Sequence, residues 1–99
     1  MTPDEILDGA SKIVEERWCQ GSLARRRTGQ KPLVCAVGAM NETDMAAGPW
    51  MAAANALMAR IGGSNIATWN DTPGRTASEV AETMREAACD IRIAAYDHK

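Results

Sequence analysis

Ninety-nine residues make one domain, large enough to bury a single core without disulfides or a structural metal. Hydrophobic residues at 45% and charged residues at 24% give the balance of an ordinary globular chain, and a net charge of −2 argues against a surface built wholly for nucleic acid or acidic lipid. No apolar run approaches the roughly 20 residues of a membrane span. The start Met1-Thr2-Pro3-Asp4-Glu5 is too polar for a signal peptide, so the chain is expected in the cytoplasm, without membrane contact.

The first helix is signed at its start. Thr2 and Glu5 form a capping box, and Pro3 falls at the first helical position, where its missing N–H costs nothing. Ile6, Ala10, Ile13, Val14 and Trp18 follow helical spacing, and Gly21 offers a stop. From Gly21 to Pro32, glycines, a basic run and a proline predict a long basic loop.

Leu33 to Met40 is a continuous apolar run, and periodicity alone does not separate strand from helix there. Val34 and Val37 lean toward strand. A lone strand would leave its backbone unpaired, and no second strand is evident, so the run is assigned to a short buried helix in which Gly38 marks a close helix–helix approach. The main helix begins near Pro49. Trp50 to Ile61 is apolar on nearly every face, which predicts a central helix with neighbours on several sides, ended by Gly62-Gly63. Thr76 and Glu79 form a second capping box for a last helix running to about Ala95, with an alanine-rich stripe suited to close packing. The expectation is an all-α fold: one compact domain over residues 1–99, a bundle of about four helices with one long basic loop.

The chemistry-bearing residues are sparse. Cys19, Cys35 and Cys89 show no Cys-x-x-Cys spacing, and the lone His98 is next to last, so neither a metal nor a cofactor is expected. The same histidine is badly placed for a nucleophilic triad, and no phosphate-binding glycine pattern occurs; the chain is expected not to be an enzyme. Cys35 reads as an inert core thiol.

Two stretches remain as candidate binding sites. In Trp69-Asn70-Asp71-Thr72-Pro73-Gly74-Arg75, the aromatic ring, the acceptors of Asn70 and Asp71 and the Arg75 fork could hold a phosphate, a sugar or a peptide end. The competing reading, which we prefer, is structural: Trp69 anchors the loop, Asn70 or Asp71 forms an Asx turn, Pro73-Gly74 closes a β-turn, Thr76 caps the helix and Arg75 pairs with Asp71. The second stretch is Arg25-Arg26-Arg27 with Lys31, whose charges could contact phosphates, though no aromatic is interleaved for stacking on single strands. The methionines are read mainly as core filler in a chain without phenylalanine; as a surface they would form an adaptable binding face.

The order of landmarks adds a resemblance. A helix ending in Trp18, a Gly21 loop, the Cys35-Ala36-Val37-Gly38-Ala39 run, an alanine-rich helix and then Ile66…Trp69-Asn70-Asp71…Arg75-Thr76…Glu79-Val80 resemble a family of small uncharacterised proteins of actinobacteria and their bacteriophages. The resemblance implies a stand-alone cytoplasmic protein in such a cell and transfers no activity. The function expected is a non-enzymatic interaction module that pairs with itself, as a homodimer, or binds a host or phage protein. The alternative is nucleic-acid binding or transcription modulation through Arg25–Arg27.

Overall fold

The computed structural model describes residues 1–63 and 65–97. Its elements in order are α1 (Pro3–Arg17), β1 (Ala24–Arg27), β2 (Gln30–Val34), α2 (Ala36–Thr43), α3 (Ala47–Arg60), α4 (Ile66–Asn70) and α5 (Ala77–Asp97). His98 lies outside the described residues.

The fold is therefore α+β, not all-α: five helices and a two-stranded antiparallel sheet among the described residues. The long basic loop is a β-hairpin closed over Thr28-Gly29, where Gly29 takes a positive φ of 70°. Arg25 pairs with Leu33 and Arg27 with Gln30, so Lys31 and Pro32 together stand opposite Arg26. That bulge is where a strand tolerates a residue without an N–H. The run assigned to one buried helix splits accordingly. Leu33 and Val34 end β2, Cys35 is the N-cap of α2, and its Sγ accepts from the Gly38 N–H at 3.5 Å. The objection to a lone strand fails because its partner is the arginine run itself. Val34 also bridges to Trp18, and its carbonyl accepts from the Cys19 N–H at 2.8 Å.

α1 is the central helix. Ile6, Leu7, Ala10 and Val14 are fully buried, and α1 packs on α2, α3, α5 and β2. Its longest contact is with α5, which lays Val80, Ala81, Met84, Ala87 and Ala88 against it. An alanine-rich stripe of this kind suits a close approach of two helices. Ion pairs from Arg92 to Asp4 and Asp8, and from Arg85 to Glu15, align the two helices antiparallel along their exposed flanks. At the far end of α1, buried Arg17 grips the Glu42 carboxylate with both Nη atoms and donates to the Pro32 carbonyl, joining α1 to α2 and the hairpin. A bidentate pair of this kind orients as well as attracts.

The helix predicted to be central does have neighbours on several sides, α1, α4 and α5, but one face is left bare. In α3 only Ala53, Ala54 and Leu57 are buried, while Met51, Ala52, Asn55 and Ala59 are exposed. Its end is as expected. The Gly63 N–H reaches the Met58 carbonyl at 2.7 Å and the Gly62 N–H the Ala59 carbonyl at 3.3 Å, both glycines having positive φ. α4 is one helical turn inside what the sequence suggested was a bare connector, capped by Asn65, whose Oδ1 accepts from the Thr68 N–H.

Candidate functional site

Asn70, at the end of α4, is fully buried and uses every hydrogen-bonding position of its amide. Oδ1 accepts from Trp18 Nε1 at 2.6 Å and from the Ala36 N–H at 3.0 Å. Nδ2 donates to the Cys19 carbonyl at 3.1 Å and to Asp71 Oδ1 at 3.0 Å. One amide thereby ties together the end of α1, the start of α2 and the α4 turn. Gln20 adds a second tie, its Nε2 donating to the Asn70 and Thr72 carbonyls. Asn70 is thus not a surface acceptor for a ligand, nor does it make the local Asx turn predicted as an option. Apart from Asp71, its partners lie far away in the chain.

Its neighbours divide in the same way. Asp71 does not pair with Arg75. Its Oδ1 accepts from the Gly21 N–H at 2.9 Å and from Asn70. Arg75 Nε donates to the Trp69 carbonyl at 3.0 Å, Nη1 reaches Glu79 at 2.7 Å, and the guanidinium lies 4.6 Å from the centroid of the half-buried Trp69 ring. The Thr72 carbonyl accepts from the Arg75 N–H across Pro73-Gly74, with Gly74 at φ 88°, and Thr76 Oγ1 accepts from the Glu79 N–H. This is the β-turn and helix cap read from the sequence. The predicted quartet Trp69, Asn70, Asp71 and Arg75 is contiguous, but its polar atoms are turned to one another and to the chain. A hollow of about 270 Å³ beside it is lined by Gly21, Ser22, Leu23, Cys35, Val37 and Asp71 among others, and Asp71 is the charged group in that lining.

The bonds to Asp71 have a titration consequence. The Gly21 N–H, then Asn70, hold its carboxyl below the ordinary 3.8. Asp4 and Glu5 move the same way, chiefly through hydrogen bonds from Thr2. A carboxyl whose pKa is depressed by folding stabilises the fold above its unfolded pKa and loses that contribution as pH falls through the folded value. Stability is therefore expected to be level down to about pH 4 and to decline below it. Asp71→Asn, which keeps an acceptor but no charge, should flatten part of that decline in urea unfolding followed downward from about pH 6. An unchanged acid slope would show that Asp71 carries none of it.

The basic stretch is braced. Arg25 Nη2 donates to the Gln20 carbonyl at 2.9 Å, while Arg27 Nε and Nη2 both reach the Lys31 carbonyl. Arg26 and Lys31 are exposed and make no ion pair among the described residues. The four charges sit on a two-stranded ribbon instead of a mobile loop.

A third surface was weighed in the sequence only as an alternative use of the methionines. Met40 and Met84 are core, as preferred there, but Met45 is 71% and Met51 53% exposed. From Met45 to Ala59 there is no Asp, Glu, Lys or Arg. Trp50 and Met51 form the ridge between two hollows of about 290 Å³ each, one bounded by Asn41, Met45 and Ala47, the other by Val37, Met58 and Ile66. Trp50 Nε1 is buried with no hydrogen-bond partner among the described residues. The sequence signal for this surface was the missing charge, which reads equally as burial within the chain.

Cys19 and Cys35 are buried and Cys89 is exposed. Burial pushes the Cys19 thiol up, the setting of an unreactive sulfur. Among the described residues no three His, Cys, Asp or Glu side chains converge to hold a metal. No helix among them is long and apolar enough to cross a membrane.

The arrangement of α1, the hairpin, α2 and the Asn70 clasp falls within residues 1–90, which match the model of a family of unknown function, DUF6197. The chain belongs to DUF6197. Membership agrees with the resemblance to an uncharacterised family and brings no activity with it. No curated protein and no solved structure matches the chain. For this DUF6197 chain, function has to be argued from its surfaces.

Proposed function

We propose that the chain is a non-enzymatic interaction module, working in the cytoplasm of an actinobacterium or of a cell infected by its phage, and that it docks through the outer face of α3. One observation carries this reading. α3 is apolar on nearly every face and packs on α1, α4 and α5, yet one face stays bare, with Met51, Ala52, Asn55 and Ala59 in the open without a charge among them. A helix apolar all round is ordinarily a covered helix, and an uncharged surface of this kind marks an interaction site. Trp50, next to Met51, lines both hollows, and its buried Nε1 has no hydrogen-bond partner among the described residues.

The test is photo-crosslinking in the native cell from a benzophenone side chain at position 51, with one at Glu82 on the exposed flank of α5 as control. Position 51 is expected to give a discrete covalent adduct and Glu82 none. Equal labelling from both positions, or none from 51, would overturn the reading.

A second reading rests on the hairpin. A two-stranded ribbon can enter a nucleic-acid groove, and Arg26 and Lys31 are free to meet phosphates. Gel shifts across a salt series decide it. If the ribbon binds phosphates, Arg26→Ala with Lys31→Ala lowers the salt slope by about two. Absence of any shift at low salt removes this reading.

A further inference from the structure

The occupant of the α3 face can be argued from its chemistry, on the reading that this face is a docking surface. We infer that a second copy of this chain covers it, with the two α3 helices antiparallel about a two-fold axis. Three features point to that occupant.

The first is charge. A partner selected by opposite charge needs charge to read, and α3 offers none before Arg60, which is already engaged with Glu86 and Asp90. An isologous contact places the same patch against itself, so a charge near the two-fold axis would approach its own kind. The stretch from Met45 to Ala59 is free of that penalty, while the chain as a whole is rich in charge.

The second is shape. Gly48, Ala52, Asn55 and Ala59 recur at helical spacing along the exposed side of α3, a shallow line flanked by the projecting Met51. An antiparallel pairing centred between Ala52 and Asn55 sets Gly48 against the second copy's Ala59 and Ala52 against its Asn55. Each Met51 then stands over the other helix, beside the hollows that flank Trp50. Methionine is the side chain best able to fill irregular gaps of that kind.

The third is Asn55, the polar side chain in the middle of the stripe. A primary amide carries both donors and acceptors and so complements its own copy. In the pairing described, the two Asn55 side chains fall within one helical turn of the axis. A single polar residue in an otherwise apolar helix pairing is a known means of setting register.

The patch is small. A 14-residue helix is about 21 Å long and about 10 Å across, so one face offers on the order of 200 Å², well short of the roughly 800 Å² per partner of a standard interface. The association is accordingly expected to be weak and reversible.

Sedimentation equilibrium of the full chain, from about 1 to about 500 μM, should show the mass rise from one chain toward two. Met51→Glu, at an exposed position, should remain monomeric throughout with unchanged thermal unfolding. Asn55→Asp and Asn55→Lys should each weaken the dimer at least about tenfold by like-charge repulsion near the axis, and their equimolar mixture should restore it. A wild-type chain that stays monomeric at the highest concentration overturns the inference. So does dimerisation that Met51→Glu leaves untouched, since it would proceed through another face. If the wild type is monomeric but position 51 crosslinks to a different protein in the cell, the docking face stands and the second copy does not. Monomer without any adduct removes both.

Discussion

Asn70→Ala is expected to lower the free energy of unfolding by about 3–5 kcal/mol, a large share of what holds a domain of this size. The reason is the number of groups left behind. Trp18 Nε1 and the Ala36 N–H lose their acceptor, and the Cys19 carbonyl loses a donor, all around a side chain that is fully buried. Removing one partner exposes the rest to the full penalty of an unmade bond, unlike a change that deletes both sides together. In thermal unfolding the loss should appear as a drop on the order of 12 °C or more. Trp18→Phe removes one of these donors, and a double-mutant cycle with Asn70→Ala should return a coupling of about 0.5–3 kcal/mol. Asn70→Asp keeps the shared acceptor but sets a buried carboxylate beside Asp71. Its folded pKa is raised, so it should be most harmful at neutral pH and recover as pH falls, opposite in sign to the Asp71 effect. An Asn70→Ala protein unfolding within about 1 kcal/mol of wild type would show that the clasp is not a determinant of the fold.

This clasp also shows where sequence reading stops. Local signals were legible because their causes are local. Thr2 with Glu5, Pro3, Gly62-Gly63, Pro73-Gly74 and Thr76 each act within a few residues, and each does what its chemistry predicts. Asn70 was legible only as an Asx residue near a turn, since its role is made by Trp18, Cys19 and Ala36, which the fold alone brings to it. The hairpin was missed for a different reason. Strand prediction leans on apolar alternation, and Ala24-Arg25-Arg26-Arg27 has none, being exposed along most of its length. The remaining signals were the Thr28-Gly29 turn and the β-branched Val34, and Pro32 masked the second strand by sitting in its bulge. For α3 the pattern was read correctly and its meaning only in part. An all-round apolar helix implies cover, and α1, α4 and α5 supply that cover on several sides but leave one face bare. Of the candidate sites, the Trp69–Arg75 block spends its hydrogen bonds largely within the chain, the arginines are a braced ribbon, and the surface we favour is one that the sequence made look like core.

Gly38→Ala should destabilise the fold clearly more than Gly48→Ala, although both replace a helical glycine with the best helix former. A methyl at Gly38 would stand 2.3 Å from the Leu23 carbonyl oxygen and 3.1 Å from Val34 Cβ. The first of these is backbone, and it is held in place because it also accepts from the Cys35 N–H at 3.3 Å. Room for the methyl can come only by moving the base of the hairpin away from α2, which breaks that bond. The close approach marked by Gly38 is therefore to the chain entering β1, and not between two helices as the sequence suggested. Overpacking of this kind costs about 1–3 kcal/mol, more than the roughly 0.5–1 kcal/mol that alanine returns in a helix. Gly48, in the first turn of α3, has nothing within 4 Å of the position a methyl would take. There the helix term of about 0.5–1 kcal/mol is opposed by the clash of a new Cβ with the ring of Pro49, since a helical residue before proline is sterically disfavoured, so Gly48→Ala should change stability by less than about 1 kcal/mol in either direction. Urea unfolding of the two variants beside wild type reads the difference directly. A stabilised Gly38→Ala protein would mean that the hairpin is free to swing from α2, and would withdraw the rigid seating on which the braced ribbon depends.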